Sequence, residues 1–392
     1  MSLFIFTLLF FSKNLYAIEN NLRGSYNDLL YYLDELIPEK SKYYVDDANY
    51  EFVSVDNLLD YSSYSINYDK LIGDNNQTNY WCKFNAFIHK FNKKYNTIAE
   101  FEHRFIVFKH NLNEILKHNY ISNFTLDVNS FSDLTQSEFH NKYIGGFIIR
   151  NDNEYINFTF ESCKKFKFNG TVLPDKLDWR EFNAVTSVKN QGICGSCWSF
   201  SATGAIEGAY AIKTQNLISL SEQQLIDCSQ LYGNNGCNGG LMDSAFKYAM
   251  FNGLCSEKEY PYASSNGQTE YYCSACSPIV NVNNCYDVQP NNQVSLKEAV
   301  SVGPVSVAID ADTQYFQSYS SGILDLPYCN TNLNHGVLIV GYGEDNGKKY
   351  WLVKNSWGDN WGEKGYFRIL RTDDNNDPGI CGIAIQPSLP SI

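Results

Sequence analysis

The stretch Gln191–Phe200, QGICGSCWSF, decides how this chain is read. Cys194 and Cys197 stand three apart, and Trp198 follows the second directly. The spacing admits a dithiol redox pair, half of a metal site, or one structural thiol beside one reactive thiol. A redox C-x-x-C follows a strand in a βαβ unit, and no such alternation surrounds this one. Cys273 and Cys276 repeat the spacing and could complete a zinc site, but they lie too far along the chain for a compact zinc knuckle or ribbon. The third reading puts Cys197 in the first turn of a helix, where the dipole favours the reactive thiolate.

A nucleophilic thiol needs a histidine to exchange its proton. Five of the six histidines precede residue 141; the sixth, His335, opens the apolar run HGVLIVGYG. Imidazole must be oriented through its other nitrogen. Asn355 can do this from YWLVKNSWG, with Trp357 shielding the bond from water. The Cys197 backbone N–H and the Gln191 side-chain amide are candidate donors to a tetrahedral oxyanion.

Around these residues the region from about Leu173 predicts helices first and strands later. Trp198–Ile212 and residues 241–253 read as helices, the latter stopped by Gly253. A third starts at Ser221, with a capping box to Gln224 and a Leu220/Leu225 staple. The runs 304–309, 335–343, 349–355 and 365–370 are β-rich and broken by Gly and Asp-Asn turns. The expected class is α+β, two subdomains with a cleft between them.

Upstream, residues 81–95 and 100–119 read as two helices. Glu100, Arg104, Phe108, Asn111, Ile115 and Asn119 fall within one arc of roughly 100° on the second. Residues 1–17 read as a secretory signal peptide ending at Ala17, and 18–79 as an acidic, Tyr- and Asn-rich extension. Twelve cysteines imply an oxidising compartment. Four sequons, at Asn76, Asn123, Asn157 and Asn169, all precede residue 173. Net charge is −13 overall, split as +1 from Lys13, −8 over 18–79, +3 over 80–172 and −9 over 173–392. The chain lacks a basic footprint for nucleic acid, and beyond the leader it has no run long enough to span a bilayer. The charge split predicts that the middle and C-terminal regions associate, through carboxylates paired with Lys or Arg across their interface.

QGICGSCWSF, NHGVLIVGYG and YWLVKNSWG closely resemble the papain family of cysteine peptidases, especially its cathepsin L-like branch, as do CNGGLMDSAF, GPVSVAID and CGIA. The six-residue face of the upstream helix is similar to the ERFNIN pattern of that family's inhibitory propeptides, and DVNSFSD to its second propeptide motif. Asp127 there replaces a usual glycine, which leaves the local turn open.

The resemblance implies a papain-like fold, a helical subdomain and a β-barrel-like one, behind a helical prodomain (80–172), with the peptidase at 173–392. It implies Cys197 as nucleophile, His335 as proton carrier, Asn355 as its orienter and Gln191 at the oxyanion, with no metal or organic cofactor needed. Gly239, Gly240, Leu241, Met242, Ala308, Leu333, Asn334, Trp357 and Gln386 would contact substrate, with Gln386 at the floor of the pocket two residues before the scissile bond. Bridges would join Cys194 to Cys237, Cys329 to Cys381, and Cys228 to Cys273 or Cys276; with nine mature-region cysteines besides Cys197, the odd count leaves one free. The implied partners are peptide or protein substrates and the chain's own prodomain, in a monomer without stable membrane association. The implied location is a lysosome or other acidic vesicle, or outside the cell. Two alternatives stay open: an inactive binding or storage protein on the same fold, or a ligase or transpeptidase using the same acyl-enzyme.

Overall fold

The structure, a computed structural model, describes residues 77–147, 163–168, 170, 172–269 and 272–392. The signal peptide, nearly all of the extension, and the sequons at Asn76, Asn157 and Asn169 lie outside the described residues.

Helices α1 (Gln77–Lys90) and α2 (Ile98–Ile121) cross on an aromatic core of Phe84, Phe87, Phe108 and Leu112. Thr97 caps α2 by accepting the Glu100 N–H. The polar face of α2 reaches away from its own helix. Arg104 donates to Glu138 at 2.7 Å and to the Asp133 carbonyl at 3.0 Å. Asn111 donates to the carbonyls of Ser132 and Leu134. Asn119 exchanges two 2.8 Å bonds with the Leu126 backbone. Glu100 accepts the Asn96 N–H. The residue types on this face are therefore set by a loop they must hold, which a generic amphipathic helix would not need. That loop contains β1 (Thr125–Leu126) and leads into α3 (Gln136–Tyr143), capped by a reciprocal Thr135–Glu138 box. Asp127 does not adopt a left-handed conformation, so the turn does without the glycine; its carboxylate accepts the Val128 N–H instead.

After β2 (Lys164–Lys165) and β3 (Leu177–Asp178), the helical half comprises α4 (Cys197–Thr214), α5 (Glu222–Cys228) and α6 (Met242–Asn252). The Ser221 box is only half made. Ser221 accepts the Gln224 N–H, but Gln224 turns to Tyr248, Gly253 and Cys255, and the Ser221 N–H goes to the Cys255 carbonyl.

The second half contains β4 (Asn284–Asp287), α7 (Gln293–Val300), β5 (Val305–Ile309), α8 (Gln314–Gln317), β6 (Tyr319–Ser321), β7 (Ile323–Leu324), β8 (His335–Asp345), β9 (Lys348–Lys354), β10 (Tyr366–Leu370) and β11 (Ser388–Ser391). Its strands run β2-β4-β11-β5-β8-β9-β10-β7, with β3 also on β8. Among the described residues this path does not close, so the expected barrel-like subdomain is an open mixed sheet. Helix α4 joins the two halves: Ser201 donates to the Val337 carbonyl and Ser306 to the Ser201 carbonyl, both buried.

Five disulfides are present: Cys163–Cys285, Cys194–Cys237, Cys228–Cys273, Cys255–Cys276 and Cys329–Cys381. Of the two partners left open for Cys228, the bond is to Cys273 and not Cys276. Leu254 pairs with Val280 and brings the returning chain, with Cys276, against Cys255. No mature-region cysteine other than Cys197 is left free. Cys285, the leftover of the sequence count, is bonded upstream of the expected boundary.

Candidate active site

Cys197 is the first residue of α4 and is fully buried. Its Sγ accepts the Gly336 N–H at 3.1 Å, because β8 begins hard against the start of α4: a side chain at Gly336 would meet the backbone of Cys197 and Trp198. Cys194 is committed to Cys237, so the redox pair and the zinc half-site are both removed.

His335 opens β8 and Asn355 follows β9. Imidazole Nε2 lies 2.9 Å from Asn355 Oδ1, which also accepts the Ser356 backbone N–H at 2.8 Å. That second donor cannot be an acceptor, so the atom facing Nε2 is the oxygen, and Nε2 carries the proton. Nδ1 then keeps its lone pair, and it is buried without a partner. The ring stacks on Trp357 at 4.6 Å. Gln191 is held at both ends of its amide: Nε2 donates to the Cys194 carbonyl and Oε1 accepts from Ser356. Its second amide proton is left over.

The cleft is filled by the chain itself. Gly145 donates to the Asn334 carbonyl, and the Gly146 carbonyl accepts the Gly240 N–H. Gly146 passes so close to the thiol that an added Cβ would sit 2.8 Å from Cys197 Sγ. Phe147 bridges to Gly240 and joins the buried cluster containing Met242, Ala308 and Leu333, with Leu241 packed against it. Gly239 has a positive φ, and a Cβ on Gly240 would strike the Trp198 ring. Gln386 is half-buried, with Oε1 lacking a partner. Asn123 is exposed just before β1.

Burial under this plug sets the protonation states. It pushes the Cys197 thiol up to about 12, against the opposing bond from Gly336, and the His335 imidazole down to about 4, against the opposing bond from Asn355. Thiol and imidazole are therefore both neutral while the cleft is filled.

The rest of the docking is apolar contact, strand pairing and side-chain hydrogen bonds. Phe131 and Phe139 meet Trp357 edge-on, so the ring that covers His335 is also the seat of the upstream domain. β1 pairs with β6, and Gln317 exchanges bonds with Asn129, Phe131 and Leu134. The Lys and Arg ion pairs described lie within one partner or the other, as in Lys93–Asp133 and Arg104–Glu138, and not across the interface as expected. The pair that crosses is His140–Asp312, half-exposed on both sides.

Sequence reasoning missed several residues. Phe147 and Gly146 are announced only by two glycines before an aromatic. Ser356 sits unremarked within NSWG. Behind the site, Lys189 bridges Glu207 and Glu222, and Lys354 reaches Thr186. Burial lowers Lys354, while burial together with neighbouring Glu207 raises Glu222. These four charged residues are scattered in sequence, and only the packing of α4 and α5 collects them.

A thiol at a helix start, an imidazole with a fixed tautomer and a spare amide donor define a thiol-dependent acyl-transfer site. Residues 173–391 match the papain family cysteine protease pattern, and residues 84–139 match the cathepsin propeptide inhibitor domain. The chain belongs to the papain family, as an inhibitory propeptide followed by a cysteine protease domain. It is 43% identical over 297 residues to cysteine proteinase RD21A of Arabidopsis thaliana, covering 75% of this chain and 62% of that one. It is 42% identical over 310 residues to cathepsin L1 of Drosophila melanogaster, covering 76% and 82%. Digestive procathepsin L 3 of Tenebrio molitor larval midgut superposes with a TM-score of 0.71 at 40% identity, covering 80% of this chain and 99% of that one.

Proposed function

We propose that the chain is the zymogen of a cathepsin L-like endopeptidase: signal peptide 1–17, extension 18–79, prodomain 80–172 and enzyme 173–392. The reading rests on one contact set, the Gly145–Phe147 backbone laid over Cys197 beside the His335–Asn355 pair. Once the plug leaves, water enters and both groups can charge. The Cys197 proton passes to His335 Nδ1 and Sγ attacks the substrate carbonyl carbon. The oxyanion takes bonds from the Cys197 N–H and the spare Gln191 proton. Nδ1 then protonates the leaving amine as the C–N bond breaks. Water, deprotonated at Nδ1, releases the acid and restores the thiol. Because Phe147 occupies the cluster of Met242, Ala308 and Leu333, a large apolar substrate residue would take its place.

Acid favours opening. His335 is held at about 4 in the closed state, well below its ordinary value of 6.5. A proton therefore binds the open state preferentially. Through His335, closure is unpenalised above the open-state pKa and weakens as pH falls toward about 4, by up to ~1.4 kcal/mol per unit; the Cys197 thiol, held at about 12 when closed, acts in the opposite sense as pH rises. A lysosome-like or secretory compartment suits this reading, as do the five disulfides.

The test is purified zymogen brought to acid with a reductant and a fluorogenic dipeptide substrate. Hydrolysis by the wild type and none by Cys197→Ala is expected. Absence of hydrolysis at every pH would favour the inactive-fold alternative, and dominant transfer to an added amine would favour a transpeptidase.

A further inference from the structure

Cys163 lies upstream of the proposed enzyme domain, yet it is bonded to Cys285 within it, and both are buried (6% and 4% exposed). The bond is part of a larger seat. β2 pairs in parallel with β4, aligning Lys164 with Tyr286 and Lys165 with Asp287. The Phe166 N–H donates to the Asp287 carbonyl at 2.8 Å, and its ring packs against the sheet's core cluster. Lys164 also donates to Asn284. This strand is thus the outermost member of the protease sheet, contributed by the prosegment.

The chain just after it is different. Among the described residues from Lys167 to Lys176, most are exposed, with Val172 at 84%. Exposed backbone of this kind is where proteases cut.

We infer that the Cys163–Cys285 disulfide keeps the prosegment covalently attached after the chain is cut between Lys167 and Lys176, so that the first product is a two-chain, still-clasped enzyme. The inference rests on the zymogen reading above. Residues 148–162 link the plug at Phe147 to the clasp. The bond makes inhibition by the severed prodomain intramolecular, at an effective concentration on the order of mM, so it continues to inhibit in cis. Release then takes a second cut between Phe147 and Cys163, or reduction of the bond. In reduction an external thiol attacks one sulfur, the S–S bond breaks, and the other sulfur leaves as a thiolate; a further equivalent frees the mixed disulfide. A second cut alone leaves a short strand bonded at Cys285.

The test uses full-length Cys197→Ala zymogen, which cannot process itself, and an added lysine-specific protease. No lysine lies between Phe147 and Cys163, whereas Lys167 and Lys176 flank the exposed stretch. On a denaturing gel without reductant the cut chain should stay linked, and reductant should split it into two bands. Cys163→Ser should give two bands either way. Digestion of the parent without reductant should also yield one cross-linked peptide pair containing Cys163 and Cys285. Recovery of the Cys163 and Cys285 peptides as separate species without reductant, or alkylation of unreduced Cys285, would overturn the inference. Because the added protease makes the cut, failure of self-processing leaves this result readable, and the peptide pair decides the matter even where Cys163→Ser does not fold.

Discussion

The prodomain and the protease domain are held together by different kinds of interaction. The protease domain carries four disulfides of its own and supplies most of two extensive buried clusters, to which the prodomain adds Phe131, Phe139 and Phe147. The prodomain has one small aromatic core, no internal disulfide among its described residues, and polar side chains that each bind a backbone carbonyl or a partner charge in a loop. Apolar burial and covalent links are nearly indifferent to pH, whereas carboxylates and imidazoles titrate. The docking of the prodomain is therefore the conditional part of the molecule, and its acid-sensitive group, His335, sits on the enzyme side.

The sharpest break in that comparison is within one motif. Cys197→Ala should reduce hydrolysis on the order of 10⁶-fold while leaving the zymogen's melting temperature near wild type. Cys194→Ala should do the reverse, costing about 2–5 kcal/mol of stability through the lost bond to Cys237. Similar thermal shifts in both variants would erase the distinction.

The acid response should localise to the cleft. In Cys197→Ala zymogen, amide protection at Gly145 and Gly240, corrected for intrinsic exchange, should fall up to ~10-fold per pH unit between 6.5 and 4. His335→Gln should flatten that dependence. Protection that rises in acid, or an unchanged dependence in His335→Gln, would overturn His335 as the acid-sensitive group.

Arg104 and Glu138 make a smaller, slower test. Arg104 holds the Glu138 carboxyl down to about 2, well below its ordinary range, with help from Thr135. Its stabilisation is complete above about 4.5 and is lost only as pH falls from there toward 2. Arg104→Met should lower zymogen stability by roughly 1–3 kcal/mol, equally at pH 7 and pH 5. A loss confined to neutral pH would make this pair, and not His335, the acid sensor.

What the sequence could disclose follows the same division. The periodic face of α2 and the β-runs were legible because local spacing records which side is buried. His335 was proposed by elimination, since the C-terminal region holds a single histidine, and the start of β8 does lie against Cys197. The clasp was not, because a disulfide 122 residues apart leaves no local trace, and neither a cysteine count nor spacing selects a partner. The charge split misled for a physical reason. Net charge is a sum over surfaces, while docking is decided by the few groups in contact, here Phe131, Phe139, Gln317 and the backbone of β1 and β6.

The smallest expected effect is at Gln386. Its half-buried amide leaves Oε1 without a partner, a cost of about 1–3 kcal/mol that an apolar residue would not incur. An acceptor kept unsatisfied near an apolar pocket would be offset when a substrate side chain brings a donor to it. On the proposed reading Met242, Ala308 and Leu333 line the pocket that Phe147 fills, so large apolar residues should dominate in wild type. Gln386→Ala should remove the contribution of the acceptor and leave the rest. In a dipeptide library, acceptance of donor-bearing residues two positions before the scissile bond should fall a few-fold relative to Leu and Phe, with kcat for the best apolar substrate unchanged. An identical profile in the variant would place Gln386 outside the pocket and leave its buried oxygen a purely structural cost.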